Sequence, residues 1–171
     1  MKHIKTYKIF ESYSEVKSII KDYMNDIEDE YGFECIYHDG KIGWGYPCDL
    51  ALVFPMQSNY ILDTEEYYNQ KHSPPVSIGL EKIKYKYDII YNYIVNNMNF
   101  DSLDIKVVGM RIGFRENQRA FTFTSTDFLS FEDFEKDVKE GKYFKLIEVY
   151  NLNHPKIEEM DNLVILFKKI D

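Results

Sequence analysis

Three residues within a short span have the chemistry to ligate a metal: Cys35, His38 and Cys48, with His72 as a fourth. Zinc is held in a tetrahedron by thiolates and imidazoles, usually as two ligand pairs of close spacing. Only Cys35 and His38 make such a pair, and on a strand they point to opposite faces. The expectation is therefore no metal, with Cys35 packed as a small apolar residue. Cys48 follows Pro47 and precedes Asp49. A thiol nucleophile needs a nearby base and a lowered pKa. No local signature of that kind surrounds Cys48, and no Gly-x-Ser-x-Gly elbow occurs.

Carboxylates are plentiful. Asp63, Glu65 and Glu66 sit together, and Asp101 and Asp104 flank an apolar run. Such pairs serve glycoside hydrolysis or metal-dependent phosphodiester cleavage. Among 29 acidic residues, close pairs arise by chance, so solvated loops are the default. Gly43-Trp44-Gly45 lacks the lysine and hydroxyl residue of a phosphate loop and the third glycine of a dinucleotide fold. These three residues are the best ligand-pocket candidate, weighed against plain packing beside Trp44. Arg111, Arg115 and Arg119 form the one arginine cluster. With Lys106 they suit an anionic partner, or else they guard an exposed strand edge. No cofactor is implied.

The elements that must position these groups follow from periodicity. Ser12 and Glu15 make a capping box, and Val16, Ile19, Ile20, Tyr23, Ile27 and Tyr31 recur at helical spacing up to Gly32. The later turns of that helix carry Asp22, Asp26, Glu28, Asp29 and Glu30, at the end where the macrodipole disfavours negative charge. Residues 33–38 and 41–46 read as strands around an Asp39-Gly40 turn. Leu50 to Phe54 reads as a buried strand, and residues 57–75 as a loop. A second helix is expected over about 80–98. Two long strands are expected over 103–114 and 119–126, with residues 115–118 as their turn. Ser130 opens a short helix with Phe131, Phe134 and Val138 inward, ended by Gly141. Residues 144–150 and 163–170 are the last strands. Hairpins outnumber crossovers, so the expected class is α+β, a mainly antiparallel sheet with about three helices on one face.

The chain has 171 residues, which suits one domain with its own core. Its hydrophobic content of 44% places it among folded rather than disordered sequences. The net charge of -8 argues against direct binding to nucleic acid or to anionic membranes, since both depend on Lys and Arg. No apolar run is long enough to span a bilayer. Two cysteines do not make a disulfide framework, so a reducing cytoplasm is the expected compartment.

One segment carries a resemblance. Lys5-Thr6-Tyr7-Lys8-Ile9-Phe10-Glu11 resembles the N-terminal leader that targets internal proteins of T-even type bacteriophages to the assembling head. The resemblance implies cleavage by a prohead protease after Glu11, with Ser12 as the new N-terminus. It covers residues 1–11 only; residues 12–171 are then the domain. It departs from the leader pattern in the residues before Lys5 and in the placing of Phe10 directly beside Glu11. The expectation is a non-enzymatic phage-type accessory protein, virion or head associated, acting through contact with a phage or host protein. The alternatives are an acidic inhibitor of a host nucleic-acid enzyme, acting as a DNA mimic, and a small hydrolase using loop carboxylates or Cys48.

Overall fold

The fold is described from a computed structural model, for residues 13–39, 48–57, 78–98, 100–116, 119–142, 144–146 and 156–170. Among them are three α-helices: α1 (Tyr13–Tyr31), α2 (Leu80–Asn97) and α3 (Phe131–Lys139). The strands are β1 (Ile36–Asp39), β2 (Leu50–Pro55), β3 (Ile105–Glu116), β4 (Arg119–Ser125), β5 (Phe144–Leu146) and β6 (Met160–Lys169). They form one sheet in the order β1-β2-β6-β3-β4-β5, and every described pairing is antiparallel. The chain is therefore α+β.

All three helices lie on one face of that sheet. Val16, Ile20, Met24 and Ile27 of α1 join a single core with Ile83, Tyr87, Ile90 and Ile94 of α2. Phe131, Phe134 and Val138 of α3 enter the same core. The sheet meets them with Leu50, Leu52 and Phe54 of β2, Met110, Ile112 and Phe114 of β3, and Leu163, Ile165 and Phe167 of β6. Each of these strand sets skips alternate residues, as a pleated strand with one face inward must. At the end of α1, Gly32 adopts φ 68°, a left-handed conformation cheap only for glycine, and its N–H returns to the Glu28 carbonyl at 2.8 Å.

The C-terminal strand is central. β6 lies between β2 and β3. This explains why its sequence, Leu163-Val164-Ile165-Leu166-Phe167, shows no alternation: all five residues are buried. The intervening residues, Val164 and Leu166, join Ala51, Val53 and Cys48 in a smaller cluster on the other face, with Ile36 and Val108 against it. None of the described helices contributes to that cluster.

Pairing between β3 and β6 slips at Val107/Gly109, a bulge opposite Leu166. A Cβ on Gly109 would stand 2.5 Å from the Ser125 carbonyl oxygen. That neighbour is backbone of a paired strand, so it has little freedom to withdraw. We expect Gly109→Ala to lower the free energy of unfolding by about 1–3 kcal/mol, read from urea midpoints. An unchanged midpoint would mean that the two strands part at small cost.

The structure adjusts several boundaries. The first strand begins at Ile36 rather than Phe33, and Phe33 and Cys35 pack instead against the helix-side core. Its partner is β2, with Asp39 opposite Leu50. The expected strand 41–46 lies outside the described residues, as do Ser12, residues 58–77 and residues 147–155. The long hairpin keeps its pairing through Glu116 and Arg119, so positions 115 and 116 are strand rather than turn. Leu103 belongs instead to a 3₁₀ turn, Phe100–Leu103.

Candidate protein-contact surface

The exposed side of α1 is the most distinctive surface of the described structure. Met24 and Ile27 are buried beneath it, at 1% and 0% exposure, so the helix is anchored by its apolar stripe. Asp22, Asp26, Glu28, Asp29 and Glu30 are all exposed; helical spacing puts Asp22, Asp26, Asp29 and Glu30 on the outer side and Glu28 on its flank, towards Cys35 and Tyr37. Among the described residues no Lys or Arg pairs with them; the described ion pairs join Lys139 to Glu135, and Lys142 to Asp137 and Glu140. The last turn of α1 holds no basic residue. Asp26 takes one neutral partner: the Tyr93 hydroxyl of α2 donates to its carboxylate at 3.2 Å. Burial and that carboxylate push the Tyr93 phenol up to about 12.

This row is dense in charge. Five carboxylates occupy nine residues. At a helical rise of about 1.5 Å per residue, that is roughly one negative charge every 3 Å. Duplex DNA carries one per about 1.7 Å of axis.

Where α1 ends, three aromatic rings meet. Tyr31 stacks on Phe33 at 5.8 Å between centroids, and Phe33 meets Tyr85 of α2 edge-on at 6.5 Å. The Lys86 ammonium lies 4.9 Å from the Phe33 ring centre and donates to the Pro55 carbonyl at 2.5 Å. Burial lowers the Lys86 pKa, against the pull of Glu34 and Cys35.

The other sequence candidates fare differently. Cys35 packs against the helix-side core, and β1 alternation sets His38 on the opposite face from Tyr37. Cys48 lies in the second-face cluster. Among the described residues no group of three His, Cys, Asp or Glu side chains gathers to hold a metal ion, and neither cysteine forms a disulfide. Burial raises both thiols, the direction opposite to that of a nucleophile. Gly43, Trp44 and Gly45 lie outside the described residues, as do Asp63, Glu65, Glu66, His72, Glu11 and Ser12.

Among the three arginines, the described side chain is that of Arg111. Arg111 pairs in register with Val164 and Thr124, and its guanidinium donates to the Thr122 hydroxyl at 3.3 Å. Positions 115 and 119 lie on the paired strands β3 and β4, opposite Ala120 and Glu116 in the register. Arg111 does not guard an edge, because β3 is paired on both sides there, with β6 and with β4. A cavity between α1 and the sheet, lined by Val16, Lys17, Asp49, Leu50, Ile105 and Phe167 among others, holds about 10 Å³. That is room for a single water.

The buried Tyr87 phenol, the half-buried Tyr37 phenol and the half-buried Cys35 thiol set the alkaline limit. The Tyr87 hydroxyl donates to the Leu129 carbonyl at 2.8 Å inside the core, and burial raises its pKa well above the ordinary value. Burial likewise raises Tyr37, with Cys35 and Glu28 adding to it, and raises Cys35 itself. In the unfolded chain these groups lose protons near their ordinary values, about 8.5 for the thiol and about 10 for the phenols. The folded state keeps them, so it binds more protons there and stability must fall as pH rises. Lys86 acts with the opposite sign just below about 10.4, one group against three. Urea midpoints should hold level to about pH 8.5 and then decline, by at most about 1.4 kcal/mol per group per pH unit. A midpoint that rises above pH 10 would contradict this burial pattern.

Comparison with known proteins returns no match among family models, curated proteins or solved structures. No described helix is long and apolar enough to cross a membrane.

Proposed function

We propose that this chain is a non-enzymatic accessory protein of the bacteriophage type. It works by protein contact, with the exposed outer side of α1 meeting a basic partner. The observation that carries the reading is the row Asp22, Asp26, Glu28, Asp29 and Glu30, uncompensated among the described residues and set against the macrodipole. Helix stability does not account for charges that work against the helix. A partner whose own surface is built for phosphates accounts for them, since the carboxylates reach about half the linear charge density of a duplex. A host nucleic-acid enzyme, blocked by mimicry, fits that description.

The leader-like segment supports the phage origin and a virion or head association. α1 starts at Tyr13, so removal of residues 1–11 takes no residue from the helix. Incubation with a cognate prohead protease tests that part: head targeting requires a cut between Glu11 and Ser12.

The contact reading is tested by immobilising the protein and applying host lysate. A basic partner should be retained at about 50 mM salt and released by about 200 mM, because the attraction is between exposed charges. Capture that survives high salt unchanged, or no capture at all, overturns it.

A further inference from the structure

The aromatic group beside the acidic row suggests what kind of side chain it receives. Gly32 reverses the chain after α1, which brings Tyr31 and Phe33 into a stack with an interplanar angle of 26°. Tyr85 adds a third ring from α2 and is 60% exposed, the most exposed large hydrophobic residue described. Glu30 adjoins Tyr31, Glu34 lies near the Lys86 that covers Phe33, and Glu28 precedes Tyr31 by three residues on α1; all three are exposed. The neighbouring Glu30 carboxylate and burial raise the Tyr31 phenol above its ordinary pKa.

The faces of aromatic rings are electronegative and attract cations within about 6 Å of the ring centre. Lys86 shows this already, at 4.9 Å from the Phe33 centre, while held by the Pro55 carbonyl. That lysine belongs to the fold and is half-buried, so it is not the cation the exposed rings await. Rings of this kind, held by packing and open to water, are the usual anchors of protein contacts. Carboxylates beside them select a cationic side chain. Of the two candidates, a guanidinium is flat enough to stack on a tyrosine while its fork meets a carboxylate, which an ammonium does not do.

We propose that Tyr31, Phe33 and Tyr85, rimmed by Glu28, Glu30 and Glu34, receive an arginine side chain of a basic protein partner. This rests on the reading of α1 as a contact surface and adds an anchor and a preferred residue to it.

The test is an NMR titration of the full chain with a synthetic decapeptide of alternating Arg and Gly, and with its Lys counterpart, at low salt. Resonances of Tyr31, Phe33 and Tyr85 should shift, and the Arg peptide should bind more tightly. Tyr85→Ala should weaken the Arg peptide about two- to fivefold, the scale of an exposed cation–ring contact. Tyr85 is largely exposed, so the variant retains the core. If Tyr85→Ala binds as well as the parent, with shifts confined to residues 22–30, the arginine anchor is overturned and the acidic surface stands. If neither peptide shifts any resonance, both ideas fall.

Discussion

Phe134→Ala is expected to destabilise the protein by about 3–5 kcal/mol, the largest effect of any single substitution considered. Phe134 has no exposed surface and sits among four other rings. It stacks on Tyr87 at 5.8 Å and on Phe114 at 6.2 Å, and meets Phe123 edge-on at 5.1 Å and Phe131 at 6.0 Å. These partners come from α2, β3, β4 and α3. Truncation thus removes the ring that ties the shortest helix to the sheet and to its neighbouring helix. It also leaves a hole bounded by elements that cannot all close in, because β3 and β4 are locked in register. Urea unfolding of parent and variant measures the loss. A change below about 1 kcal/mol would mean that the aromatic cluster repacks freely and that α3 is not bound through it.

Neutralising the acidic row is expected to separate binding from stability. The variant is Asp22→Asn, Asp26→Asn, Glu28→Gln, Asp29→Asn and Glu30→Gln together. Exposed charge pairs contribute roughly 0.2–1 kcal/mol each, so losing five should weaken partner capture by about fivefold or more. The fold should gain, not lose. Glu28, Asp29 and Glu30 lie in the last turn, where each negative charge costs about 0.3–1 kcal/mol at low salt. Asparagine at 26 still accepts from the Tyr93 hydroxyl, so the tie to α2 survives. A thermal midpoint that rises while capture is lost supports the contact surface. A midpoint that falls, or capture that is unchanged, shows the row to be structural or irrelevant.

Much of the local structure was legible in the residues. The 3.6-residue period marked α1 and α2, and Gly32 and Gly141 stand at helix ends with φ of 68° and 67°. Ser130 caps α3 by accepting from the Asp133 N–H at 3.2 Å. These signals are local: each depends on a side chain and the backbone within one turn of it. The acidic row was legible too, because helical exposure follows from the same period.

Sheet order was not legible. Nothing in Leu163 to Phe167 says that it inserts between β2 and β3, although its unbroken apolar run does say that both faces are buried. The reading of Arg111 as an edge guard failed for the same reason, since an edge is a property of strand order and not of any strand. The ring group of Tyr31, Phe33 and Tyr85 was equally hidden. Its members are as many as 54 residues apart and meet only where the end of α1 crosses α2.

The sequence by itself determined the class of the fold, the helix ends and the charge of the outer side of α1, because these follow from periods and caps within a few residues. Tertiary structure alone decided which strand lies in the middle, that the thiols are raised rather than activated, and which rings stand beside the carboxylates. Those outcomes depend on contacts between segments far apart in the chain, where burial and electrostatics are set by neighbours that no local pattern names.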